Sequence, residues 1–140
     1  MYELTYQSDA AQDLTTEEIN SILEVARRCN AEHNITGCLI FFNNSFIQII
    51  EGEEEDIKQL FSNLQKDERH KNIKIIFEGQ IEERMFSEWG MAYHLVNDEN
   101  NTEKELHLFK QNWGFLAENS FSTNTSSVLF WKMVKMLLVK

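Results

Sequence analysis

Positive charge is scarce in this chain. Lys and Arg number 13 against 23 Asp and Glu, a formal net charge of -10. A nucleic-acid duplex repels such a surface unless a basic stripe compensates, and the sequence carries no such stripe, so direct nucleic-acid binding is not expected. Cysteine is scarce as well. Cys29 and Cys38 are the two present, and without a metal-ligand spacing they are expected to be buried, reduced thiols. The four histidines, His33, His70, His94 and His107, form no HExxH or similar pair, which argues against a metal site. No apolar run is long enough to span a bilayer, and nothing at Met1-Tyr2-Glu3-Leu4 resembles a signal peptide. A cytoplasmic protein without a membrane partner is expected. What is present is an ordinary globular composition, 42% hydrophobic and 11% aromatic over 140 residues. That length suits a single compact core burying ~70% of the unfolded surface.

Two apolar runs, Ile35 to Phe42 and Ser45 to Gly52, flank Asn43-Asn44. An Asn pair tolerates the positive φ values of a tight hairpin turn, and runs apolar on both faces predict central strands covered on both sides. Gln48 interrupts the second run. With a side-chain period of two it shares a face with Phe46 and Ile50. A buried amide left unpaired costs ~1–3 kcal/mol, so Gln48 needs a partner there, either a core neighbour or a polar ligand.

Residues 2–8 alternate and predict a first strand, with Tyr2, Leu4, Tyr6 and Ser8 on one face. After a loop over 9–14, Thr15 and Glu18 form a capping box. The helix behind it carries Ile19, Ile22, Leu23 and Ala26, a stripe that continues to Cys29 and Asn30. Arg27 and Arg28 are expected in its last turn, where they suit the dipole. The acids Glu51 to Asp56 are read as a helix N-terminal cluster favoured by the same dipole. Ile57, Leu60, Phe61 and Leu64 mark the second helix, with Asn63 and Asp67 one turn apart on its flank. Strands follow over 72–82 and 88–96, the latter placing Trp89, Met91, Tyr93 and Leu95 on one face. A polar break at Asn97–Asn101 precedes a short helix over 103–111, an irregular segment over 112–125, and a last apolar helix over 128–138 capped by Ser126 or Ser127. The order predicts an α+β fold: a ferredoxin-like βαββαβ sandwich with an added fifth strand, both main helices on one sheet face and the C-terminal helices on the other.

Tyr6, Asn30 and Gln48 thus fall on the helix-covered face, with Trp89 and Met91 beside them. They make no nucleophile–base or paired-carboxylate site. Amides offering both a donor and an acceptor do suit the edge of a flat heterocycle such as a flavin. On these residues the sequence resembles the BLUF family of blue-light sensors. The resemblance rests on Leu4-Thr5-Tyr6-Gln7-Ser8, Ala26-Arg27 through Asn30, Ile35-Thr36-Gly37-Cys38-Leu39, Phe46-Ile47-Gln48-Ile49-Ile50-Glu51-Gly52, Asp67-Glu68-Arg69-His70 and Phe86-Ser87-Glu88-Trp89-Gly90-Met91.

The resemblance implies a flavin photosensory domain over 1–97 and a C-terminal helical extension over 98–140. It implies that Tyr6 donates an electron and a proton, that Gln48 bridges Tyr6 and the flavin edge, and that Asn30 bonds the flavin ring. Ser8 and Asp67 match positions near the ring and its ribityl chain, and Arg27 and Asn63 join them as cofactor-binding candidates. Trp89 and Met91 match residues beside the glutamine that take part in the photocycle. FAD is the implied cofactor; Asn63, where relatives carry a basic residue, leaves FMN and riboflavin open. The chain looks like a short, stand-alone, non-enzymatic member signalling to an unidentified downstream protein or through homo-oligomers. A chromophore-free ferredoxin-like interaction module is the alternative. An acylphosphatase- or monooxygenase-like enzyme is a further one, although Gln7 to Asp13 lacks the Arg of an acylphosphatase loop.

Overall fold

A computed structural model describes residues 1–11, 14–87, 89–97, 99–118 and 130–136. The elements are β1 (Tyr2–Ala10), α1 (Thr16–Glu32), β2 (Thr36–Phe42), β3 (Ser45–Gly52), α2 (Glu54–Gln65), β4 (His70–Gln80), β5 (Ala92–Leu95) and α3 (Glu103–Glu118). A further helical segment, α4, covers 130–136. The sheet order is β4-β1-β3-β2-β5. Its first four strands are antiparallel neighbours, and β5 runs parallel to β2. This is the ferredoxin-like arrangement with one strand added. Asn43 and Asn44 turn the β2–β3 hairpin at φ 51 and 62, the left-handed values such a turn needs.

One core lies between the sheet and α1 and α2, built from Leu4, Tyr6, Phe46 and Ile50 against Ile19, Leu23, Ile57 and Phe61. The other lies on the opposite face, where Phe109 of α3 and Phe130, Trp131 and Val134 of α4 cover Ile40, Ile47 and Ile49. Strands β2 and β3 are therefore largely apolar on both faces because both are covered.

Several boundaries differ from the sequence expectation. Helix α1 starts at the Thr15–Glu18 capping box as expected, but runs to Glu32 with no basic residue in its last turn. Arg27 and Arg28 therefore lie upstream of its C-terminus. The αL residue that turns the chain is Asn34 at φ 53, which frees Asn30 to point inward. Helix α2 ends at Gln65, so Asp67 sits in the following turn and not on the helix flank with Asn63. Helix α3 continues to Glu118, where an irregular segment was expected from 112; the expected Ser126 or Ser127 cap lies outside the described residues. Strand β5 begins only at Ala92, and the described residues before it, 81–87 and 89–91, form an irregular strap.

Candidate functional site

Tyr6 and Gln48 are direct partners in the β1–β3 ladder, on the face covered by α1 and α2. Tyr6 is buried at 1% exposure and Gln48 at 6%. The Tyr6 hydroxyl donates to Gln48 Oε1, which fixes the amide so that Nε2 points toward Met91 Sδ at 3.3 Å. Burial, with the charge of Asp67 second, pushes the Tyr6 hydroxyl well above the ordinary phenol range. Tyr6 is thus a neutral phenol at physiological pH, with an acceptor already placed for its proton.

Asn30, 1% exposed, donates from Nδ2 to the Gly90 carbonyl at 2.9 Å. Arg27 donates from Nε to the Met91 carbonyl at 3.1 Å. Arg27 therefore holds the strap in this structure and does not line either cavity described below. Trp89 and Met91 do not share a strand face, because both precede β5. Met91 packs into the helix-side core, whereas Trp89 packs against the opposite core, its ring 5.4 Å from that of Phe86. The physical reason is that the strap turns at Gly90 between them, so period-two spacing does not apply.

Between α1 and α2 lie two adjoining cavities. The larger, about 220 Å³, has Tyr6, Gln48, Asp67, Arg69 and His70 among its lining residues, together with apolar side chains such as Leu39. The smaller, about 110 Å³, is reached by Asn30, His33 and Asp56. Cys29, Leu60 and Asn63 border both. Cys29 is exposed and not buried as expected; it lies on the inward stripe of α1, but that stripe faces an open cleft at this point. Cys38 is buried.

Ser8 and His70 form a buried pair, Oγ to Nδ1 at 2.9 Å, with His70 on the wall of the larger cavity. Asp67 accepts from Arg69 Nη2 at 2.7 Å and from its Nε at 3.0 Å; these bonds come first in holding its carboxyl below the usual range. Burial holds His70 below the ordinary imidazole value, opposed by Asp67 and assisted by Arg69. The sequence reading quoted Arg69 and His70 within a motif without giving either a role. The signal for His70 was its place beside a strand start that pairs with β1.

Two buried side-chain atoms among the described residues have no hydrogen-bond partner: Asn30 Oδ1 and His70 Nε2. One belongs to each cavity. Orphaned buried polar atoms are uncommon, and two of them at the ends of an apolar cleft fit a flat ligand with polar edges. A flavin ring meets that description. Among the described residues no group of three His, Cys, Asp or Glu side chains could hold a metal ion.

The comparisons with known proteins agree with this geometry. A family model described as BLUF, sensors of blue-light using FAD, matches residues 1–92. The chain belongs to the BLUF family. It is 32% identical over 90 residues to the photoactivated adenylate cyclase subunit beta of Euglena gracilis, covering 64% of this chain and 10% of that one. It is 32% identical over 88 residues to the blue light- and temperature-regulated antirepressor BluF of Escherichia coli (strain K12), covering 63% of this chain and 22% of the relative. The chain thus spans about a tenth of the length of the cyclase subunit and about a fifth of the antirepressor. Among solved structures, the photo-activated state of BlsA superposes with a TM-score of 0.75 at 30% identity, covering 99% of this chain and 95% of that one. As a BLUF domain the chain is a blue-light sensor that binds a flavin, and the cleft between α1 and α2 combines open space with two unmet hydrogen-bonding atoms. Among the described residues, no helix is long and apolar enough to cross a membrane.

Proposed function

We propose that this chain holds FAD between α1 and α2 and senses blue light through the Tyr6–Gln48 pair, signalling through its C-terminal helices. The hydrogen bond from the Tyr6 hydroxyl to Gln48 Oε1 at the floor of the cleft carries the proposal. When bound, the flavin supplies the light-absorbing ring that accepts an electron. Tyr6 is neutral and dry, so loss of an electron from its ring makes the hydroxyl proton strongly acidic. Gln48 Oε1 is the atom that proton meets. The amide then gains by rearranging, because its two ends differ in donor and acceptor character. Its Nε2 gives up or keeps the Met91 sulfur as it does so. Asn30 Oδ1 and His70 Nε2 would orient the ring, while Ser8 holds the His70 imidazole. Asp67, Arg69 and the exposed Asn63 line the larger cavity and would hold the ribityl and phosphate groups.

Ser8 Oγ lies 2.9 Å from His70 Nδ1, but Ser8 is buried and does not line the cleft, so its hydroxyl is not placed to attack a ligand there, and the chain is read as a sensor and not a catalyst. Its output is an altered contact with a downstream protein or a second copy of itself. The first test is an absorption spectrum of the purified chain before and after a blue pulse. A yellow protein whose flavin band shifts slightly to the red and recovers in darkness is expected. Tyr6→Phe and Gln48→Leu should abolish the shift with flavin still bound. A colourless protein that rejects added flavin would favour a chromophore-free interaction module. Chromatography of the released cofactor distinguishes FAD from FMN and riboflavin.

A further inference from the structure

The strap, described over 84–87 and 89–91, carries Met91 to Gln48, and its far end is held by a residue outside the cleft. Glu51 lies three positions after Gln48 on β3, so its side chain leaves from the opposite sheet face. It is 1% exposed. It does not belong to the helix N-terminal acids, because α2 starts only at Glu54. Glu51 Oε2 accepts the Met85 N–H at 2.6 Å, and Oε1 accepts the Phe86 N–H at 2.9 Å and the Thr36 hydroxyl at 3.2 Å. Arg84 donates from Nη1 to Thr36 Oγ1 at 2.9 Å and to the Glu51 carbonyl at 3.0 Å. A buried carboxylate is costly unless its oxygens are used, and burial does push the Glu51 carboxyl upward against these bonds. Both its oxygens are spent on two successive backbone groups of the strap.

The other end of the strap is tied on the cleft side. The Trp89 carbonyl accepts the Gly37 N–H at 3.1 Å, the Gly90 carbonyl accepts Asn30, and the Met91 carbonyl accepts Arg27. A Cβ at Gly37 would meet the Ile49 carbonyl oxygen at 2.0 Å and the Met91 methyl at 3.3 Å, so the Met91 methyl packs over a position that the backbone reserves for glycine. The Trp89 N–H donates to the Phe86 carbonyl at 3.0 Å, so fixing residues 85 and 86 limits where Trp89 and the Met91 sulfur two residues on can lie.

We infer that Glu51 is a positioning residue for the light reaction: its carboxylate clamps the Met85 and Phe86 amides and so places the Met91 sulfur against the Gln48 amide. The inference rests on the photoreceptor reading above. Glu51→Gln tests it in the full chain, because the amide keeps the shape but has one acceptor oxygen for two N–H groups. Loss of a hydrogen bond from a clamped segment should speed amide exchange at Met85 and Phe86 by about tenfold, a readout that needs neither light nor flavin. Dark recovery of the red-shifted state should slow by at least about threefold, since return to the present amide orientation then lacks a fixed sulfur. Flavin binding should stay intact.

A wild-type chain that binds flavin without a light-induced shift overturns the photoreceptor reading, and this inference with it. A wild type that shifts, beside a Glu51→Gln chain with loosened amides and unchanged recovery, overturns this inference alone and leaves Glu51 a purely structural tie. Should Glu51→Gln fail to fold, Thr36→Val removes one donor to the same carboxylate without removing the clamp. Recovery slowed by about twofold then supports the positioning role, and recovery at the wild-type rate overturns it.

Discussion

His70 bonds Ser8 through one ring nitrogen and buries the other without a partner. Burial lowers its pKa, so the folded chain binds a proton there less readily than the unfolded chain does. Its contribution to stability is therefore present above the unfolded value of ~6.5 and is lost as pH falls toward the depressed folded value. Thermal melts between about pH 7 and pH 5 should show a loss for the wild type that is smaller in His70→Gln. Asp67 titrates in a lower window, because Arg69 depresses an already acidic group, so the two effects separate on the pH axis. At this scale the sequence was most legible where a polar residue occupied a position that periodicity demanded be buried. Tyr6, Asn30 and Gln48 were readable for that reason. Glu51 obeys the same rule, sharing its strand face with Ile47 and Ile49, but the acids that follow it masked the end of the strand. Met91 was read beside Gln48 and lies there, but the strand face it was expected to share with Trp89 failed because the turn at Gly90 breaks the period between them.

Helix α1 forms half of the cleft wall, and its start is the best-defined helix end in the fold. The Thr15 hydroxyl accepts the Glu18 N–H at 3.1 Å while the Glu18 carboxylate accepts the Thr15 N–H at 3.3 Å. Thr15→Ala should cost ~1 kcal/mol in denaturant unfolding and leave the flavin band position unchanged. The same element shows why boundaries were less legible than existence. Capping chemistry is local, so the start could be read from four residues. The end depended on Asn34 taking the left-handed turn, a choice made by the tertiary fold. Strand β5 shows the converse. Its sequence reads as a longer strand, but the Asn30 and Arg27 side chains capture the Gly90 and Met91 carbonyls that a strand would have used.

Over the whole molecule, two cores lie back to back on one sheet. The cleft side is built from α1 and α2, and the far side is closed by α3 and α4. Trp131 is fully buried there and donates to Thr5 Oγ1 at 3.2 Å. Trp131→Ala should cost ~3–5 kcal/mol, read as a lowered denaturation midpoint, although the residue lies far along the chain from the BLUF match over 1–92. The placement of these helices on the far face was legible from the wide apolar stripe of 128–138 and from the apolar outward positions of β2 and β3. The ladder also has an evolutionary reading. Tyr6 and Gln48 oppose each other across two inner strands, so no insertion in a loop, exchange of a tail or drift along a helix rim can part them. Only a slip of strand register could, and a slip of one residue would turn Gln48 to the other face. The two residues descend together with the sheet as one heritable unit, which leaves the surrounding surfaces at liberty to diverge.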